Sequence, residues 1–216
     1  MPPRRLPPRR SRPRPLPLPT IEPVRPVRRP QAFDDPAWFF EPKYDGFRGI
    51  AYLTREGCDL RSRNDNGFSR FAGLAQAVRD ELEVREAIFD GEVIALDRYG
   101  RVCFEDLMRG TGRLGYAVFD LLWLNGKDLR DLPLTRRRQL LDSTLVNSTS
   151  SVTKVFAVER DGVALFDAVR RLDLEGIVAK RRADPYGATA VWHKILNPGY
   201  SQAAGRAELF GRAGRR

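Results

Sequence analysis

The sequence predicts an α+β fold built on largely antiparallel sheets. Three observations carry that expectation. Long apolar runs at Phe47–Leu53, Ile88–Leu96 and Tyr116–Leu124 read as strands with at least one buried face. Turn signals at Glu56-Gly57, Asp97–Gly100 and Asn125-Gly126 reverse the chain beside them, the last being a strong hairpin dipeptide. Helical periodicity is confined to three stretches that do not alternate regularly with the strands, as they would in a doubly wound fold.

Taken in order, Met1–Pro30 carries eleven of the sixteen prolines, nine arginines and one acid. Little in it can pack, so residues 1–30 are expected to be a disordered or polyproline-like tail: a solvated extension, or an arm that binds phosphates non-specifically. Globular patterning begins at Phe33, with Pro36 and Pro42 bracketing Trp38-Phe39-Phe40 ahead of the strand Phe47–Leu53, and Cys58–Ser62 following the turn. Phe71–Val84 places Phe71, Leu74, Ala75, Val78 and Leu82 on one helical stripe that faces a core. After the strand Ile88–Leu96, Val102–Phe104 reads as a return strand. Leu132–Leu145 and Asp161–Leu172 read as helices, the second with Asp161 as N-cap and Leu165, Phe166, Val169 and Leu172 on one face. Ile177–Ala179 and Ala190–Ile195 are short strands. The domain is expected to span residues 31–205, with a basic tail at 206–216.

Composition narrows the function. Of the formal charge of +10, the first thirty residues contribute +8. Cys58 and Cys103 have no CxxC spacing and no neighbouring His, which argues against a zinc site, and the single His193 argues against a Ser-His-Asp triad. No apolar run has the length of a membrane span, and the tail's Arg-Arg pairs are followed by no apolar signal region. A cytoplasmic location without membrane partners is expected.

Only five lysines occur among 38 basic residues, so lysine stands out where it is kept. Lys43, Lys180 and Lys194 each sit in a short polar constellation, and a lysine can be tuned to lose its proton whereas a guanidinium cannot. One of the three is therefore expected to act covalently. Phe89-Asp90-Gly91-Glu92 places two carboxylates and a glycine in an apolar strand, an expensive arrangement unless the charges are paired or bound. Glu175-Gly176-Ile177-Val178-Ala179-Lys180 repeats the device. A pocket gathering Lys43, Arg48, Lys180 and Lys194 with Glu92 and Glu175 suits a nucleoside triphosphate and a divalent metal. The implied chemistry is nucleotidyl transfer, and no Walker-type glycine loop is present.

These segments resemble the covalent nucleotidyltransferases, the family of ATP-dependent DNA ligases, RNA ligases and mRNA capping enzymes. Lys43-Tyr44-Asp45-Gly46-Phe47-Arg48 is similar to motif I, KxDGxR, in the form favoured by DNA ligases. Ser62-Arg63 resembles motif Ia, Phe89–Glu92 motif III, Tyr116–Asp120 motif IIIa, Glu175–Lys180 motif IV and Trp192-His193-Lys194 motif V. The resemblance implies two largely antiparallel sheets flanked by helices, with the nucleotide site between them. It implies that Lys43 forms a lysyl-AMP, that Glu41 lies near adenine, that Arg48 and Glu92 lie near the ribose and that Phe119 stacks on the base. Glu175, with Glu92, would hold Mg2+ or Mn2+; Lys180 and Lys194 would contact phosphate, and Arg63 the nucleotide or nicked DNA.

Two departures stand out. Leu196 occupies the place of the second lysine in WxKxK, and only about twenty residues follow motif V, too few for an OB-fold domain. The chain thus resembles an isolated adenylation domain of the stand-alone bacterial type, acting on nicked double-stranded DNA in repair on the bacterial nucleoid, with a separate OB-fold or repair partner. An RNA ligase, a GTP-using capping-type enzyme and a non-catalytic nucleic-acid-binding copy remain alternative readings.

Overall fold

The computed structural model describes residues 18–146 and 150–203. They form two sheets, as the α+β expectation requires. The first contains β1 (Val27–Arg28), β2 (Asp35–Lys43), β9 (Val158–Arg160), β10 (Gly176–Arg181) and β11 (Trp192–Leu196), in the order β1-β11-β10-β2-β9. Only its β1–β11 pair is parallel. The second contains β3 (Phe47–Leu53), β4 (Cys58–Ser62), β5 (Ala87–Leu96), β6 (Arg113–Leu124) and β7 (Lys127–Asp128), in the order β4-β3-β5-β6-β7, with β8 (Val152–Lys154) parallel to β6.

Alternation along the strands divides the side chains between packing layers. In β3, Ala51 and Leu53 join Phe89, Val93 and Val118 in a core covered by α1 (Ala72–Glu81), α2 (Phe104–Arg109) and α3 (Leu134–Thr144). Ile50 and Tyr52 point the other way and meet Trp192 of β11, so the second sheet is buried on both faces. The first sheet packs its outer face on α4 (Gly162–Arg171) through Phe40, Ile177, Ala179, Ile195, Leu165 and Val169. The helical stripe Phe71, Leu74, Ala75, Val78, Leu82 is buried as expected. Asn125 and Gly126 both have positive φ, the signature of the hairpin turn joining β6 to β7.

Several expectations need correction. The ordered chain begins well before residue 31: Ile21 and Val24 are buried, the Ile21 N–H donates to the Tyr52 hydroxyl (3.0 Å), and Val27-Arg28 pairs with β11. Two apolar anchors suffice to seat a proline-rich strap that composition alone makes look unpackable. Residues 1–17 and the expected tail at 206–216 lie outside the described residues. Pro36 and Pro42, with the Trp38-Phe39-Phe40 they bracket, all fall inside β2. Pairing with β9 stops at Phe40, which leaves Pro42 at an unpaired edge where a residue lacking an N–H is tolerated.

Val102 makes a single bridge to Leu96, and Phe104 opens α2 instead of ending a strand. Acidic Glu105 and Asp106 in its first turn, Arg109 in its last and left-handed Gly110 behind it mark that helix in retrospect. Asp161 does stand at the N-cap of α4, but its side chain makes no capping bond; Asp34 Oδ1 accepts from the Val163 N–H instead (2.9 Å).

Candidate active site

The nucleophile candidate sits where the chain passes from one sheet to the other. Lys43 ends β2, and Tyr44-Asp45-Gly46 leads directly into β3. A Cβ on Gly46 would stand 2.2 Å from the Val93 carbonyl oxygen and 2.9 Å from Glu92 Cγ, so this link is pressed against β5. Gly46 thus allows the crossing between sheets, and it lines the cleft as well. Across the ladder, Lys43 pairs with Gly176 and Gly176 with Leu196. Glu175, one residue before, brings Oε2 to 2.5 Å from Lys43 Nζ. Two strands adjacent in space but 132 residues apart in sequence thus join the amine to a carboxylate.

The facing wall comes from the second sheet. Arg48 forks onto Asp90, Nε to Oδ1 at 2.5 Å and Nη2 to Oδ2 at 2.6 Å, and the Tyr186 hydroxyl donates to the same Oδ2 at 2.6 Å. This locks the guanidinium 4.8 Å from the Phe119 ring centroid. The bulky neighbour that Gly91 admits is Tyr116: a Cβ there would lie 2.7 Å from the ring, whose hydroxyl donates to the Gly49 and Phe89 carbonyls. Glu92, opposite Arg48 in register, has neither a hydrogen bond nor an ion pair among the described residues. Burial pushes its carboxyl up to about 7; Lys43 and Arg48 oppose the shift, while Glu175 and Asp90 reinforce it.

At the other end lies a buried triad. Glu41 is clamped by Arg138 on one oxygen and by Lys180 Nζ, 2.6 Å away, on the other. Lys180 also lies 4.1 Å from the centroids of both Phe119 and Trp192. Burial lowers its pKa, against the raising influence of Glu41. Lys180 pairs in register with Phe39 and is held by Glu41 at the aromatic end of the cleft, four residues along β10 from the level of Lys43.

Glu41, Lys43, Arg48, Arg63, Glu92, Phe119, Glu175, Lys180 and Lys194 all line one cleft of about 650 Å³ between the sheets, a size suited to a nucleotide. Arg63 is exposed at its rim, and the Lys194 ammonium has no partner among the described residues. Glu92 and Glu175 offer two carboxylates beside Lys43, a donor set that fits Mg2+ completed by phosphate oxygens. Sequence reasoning missed Arg138 and the cleft-lining Arg25. Arg138 was detectable: Leu134, Arg137, Arg138 and Leu141 recur at the spacing of one helical face, and all four are buried. Arginines on such a stripe need buried partners, which are Asp120 for Arg137 and Glu41 for Arg138.

A family model described as the ATP-dependent DNA ligase domain matches residues 29–195. The chain belongs to this family. It is 34% identical over 151 residues to the multifunctional non-homologous end joining DNA repair protein LigD of Mycobacterium tuberculosis, covering 69% of this chain and 20% of that protein. It is 28% identical over 183 residues to the SPbeta prophage-derived DNA ligase-like protein LigB of Bacillus subtilis, covering 80% of this chain and 66% of the relative. The chain thus spans about a fifth of the LigD relatives it matches. Among solved structures, mycobacterial DNA ligase D complexed with ATP and MES superposes with a TM-score of 0.68 at 27% identity, over 81% of this chain and 60% of that one. The ligase domain of M. tuberculosis LigD gives 0.68 at 28% identity, over 81% of this chain and 58% of that one. The family's ligase fold thus agrees with the two-sheet architecture.

Proposed function

We propose that the cleft transfers AMP from ATP to Lys43 and then to the 5′-phosphate at a break in duplex DNA, as a step of DNA repair. The observation that supports this best is the one cleft lined by all nine expected site residues, with the Lys43 amine held 2.5 Å from Glu175. In the first step Lys43 Nζ attacks the α-phosphorus, the N–P bond forms, the bond to the bridging oxygen breaks and pyrophosphate leaves with its electron pair. Attack requires neutral amine, and Glu175 is the acceptor placed to take the proton. In the second step the 5′-phosphate oxygen displaces Lys43 from the α-phosphorus, and the amine recovers its proton.

The base would lie at the aromatic end, against Phe119 and within reach of the Glu41–Lys180 pair. Arg48, locked by Asp90, would face the sugar. Mg2+ held by Glu92 and Glu175 would supply charge neutralisation at the phosphates when bound. Lys194 and Arg63, neither with a partner among the described residues, are available to phosphate oxygens and to the DNA strand. No helix among the described residues is long and apolar enough to cross a membrane.

Incubation with α-labelled ATP and magnesium tests the reading: the parent chain takes up covalent label, and Lys43→Ala and Lys43→Arg both abolish it, since arginine keeps the charge but not the nucleophile. Label persisting on Lys43→Arg refutes the assignment. Labelled GTP and a nicked RNA duplex in parallel separate this reading from capping-type and RNA-ligase chemistry.

A further inference from the structure

The strap ahead of β2 reaches the cleft itself. Pro23, Val24, Arg25 and Pro26 line it together with Arg48 and Trp192. Val24 is buried, and its N–H donates to the Tyr186 hydroxyl at 3.4 Å. That hydroxyl donates in turn to Asp90 Oδ2 at 2.6 Å, the oxygen that also accepts from Arg48 Nη2. One phenol thus stands between the strap and the carboxylate that holds Arg48.

Tyr186 is itself firmly held. Its N–H donates to the Arg130 carbonyl at 2.7 Å, and its ring meets Trp192 edge-on with centroids 5.9 Å apart. Ile21 and Val24 of the strap pack in the same apolar cluster. Burial, reinforced by Asp90, raises the pKa of the hydroxyl well above its ordinary value, so it stays a donor. The terminal torsion of an aspartate is soft, and a carboxylate left to turn carries a guanidinium with it. A donor fixed on Oδ2 sets the plane of the Asp90 carboxylate, and the two-pronged contact passes that plane on to Arg48. The Arg48 side chain keeps 16% exposure, over the rings of Phe119 and Trp192.

We propose that Tyr186 is a positioning residue for the nucleotide cleft: through Asp90 it sets the orientation of Arg48, and through Val24 it makes that orientation depend on the docking of residues 18–26. The inference rests on the reading of the cleft as a nucleotide site. The full chain is compared with Tyr186→Phe, which keeps the ring and its packing, and with Ile21→Ala/Val24→Ala, which loosens the strap. Each is also made in an Arg48→Met background. Titration calorimetry without divalent metal measures ATP binding. NMR of the Arg48 Nε–H, assigned by its loss in Arg48→Met, reports the state of the guanidinium in the unliganded chain.

Tyr186→Phe is expected to weaken ATP about five- to tenfold, the scale of one hydrogen bond, and the strap variant to weaken it similarly. In the Arg48→Met background both losses shrink to less than about twofold, because the group they act through is gone. Both variants also shift the Arg48 Nε–H signal and speed its exchange with water. Losses that persist undiminished without Arg48 give Tyr186 and the strap a purely structural role and overturn the proposal. Unchanged ATP affinity, or an unmoved Arg48 signal, in either variant overturns it as well. A parent that takes no label on Lys43 sinks the adenylation reading alone, because ATP affinity and the Arg48 signal still report on the coupling. A parent that binds no ATP sinks the nucleotide reading, and the Arg48 signal then decides the coupling by itself.

Discussion

Replacing Glu92 by glutamine is expected to make the protein more stable at alkaline pH while disabling it. Burial raises the Glu92 carboxyl from its ordinary 4.5 to about 7, so the folded chain keeps a proton that the unfolded chain releases across that window. Stability contributed by this group is therefore complete at and below pH 4.5, declines as the pH climbs, and is gone above about 7. At 1.36 kcal/mol per pH unit the full difference is about 3 kcal/mol, an upper bound because the side chain keeps some contact with solvent in the cleft. Glutamine keeps the shape and removes the titration. Urea unfolding of parent and Glu92→Gln across pH 4.5–8.5 gives the difference directly, with other titrating groups cancelling. The two should coincide near pH 4.5, and the variant should gain about 1–3 kcal/mol by pH 8. Its magnesium-dependent labelling should fall, since a ligand of the metal has gone. A difference that stays flat, or a variant less stable than the parent at pH 8, would show that Lys43 and Arg48 outweigh burial and would refute the reasoning.

Two further outcomes follow from buried contacts. Arg138→Met leaves one oxygen of Glu41 uncompensated in the interior and should cost about 3–5 kcal/mol in urea unfolding, part of it recovered by adding Glu41→Gln; an unchanged midpoint would remove Arg138 from the site's support. Deleting residues 1–17 should leave the midpoint alone while weakening DNA binding and flattening its salt dependence, because six arginines go with them. Deletion through residue 30 also removes buried Ile21 and Val24 and should cost about 3–6 kcal/mol; equal midpoints for the two deletions would mean that the strap contributes nothing to the fold.

Much of the site was legible because its residues punctuate strands. Glu92 and Asp90 stand out in an apolar run, Glu175 and Lys180 bracket another, and retained lysines are conspicuous in an arginine-rich chain. What local pattern does not encode is pairing at long range. Glu41 and Arg138 are 97 residues apart, and nothing beside either one names the other. The strap was misread for a related reason: its prolines and arginines describe its own lack of a core, whereas its stability comes from Tyr52, Tyr186 and β11, all distant in sequence.

Lys180 shows what a motif leaves open. A motif fixes which face of a strand a side chain occupies, but its depth in the cleft depends on register. Because Gly176 pairs with Lys43, the four-residue step to Lys180 places it opposite Phe39, roughly 13 Å farther along the strand at 3.3 Å per residue. The lysine therefore meets Glu41 and two aromatic rings, while Lys194, only two residues from the Leu196 that shares Gly176's level, stays nearer the reacting amine. The cleft is thereby polarised. One end gathers Lys180 and Arg138 on the single carboxylate of Glu41, beside the rings of Phe119 and Trp192. The other leaves the Lys194 ammonium without a partner among the described residues, where in the proposed reading the charge of a phosphate tail would be met.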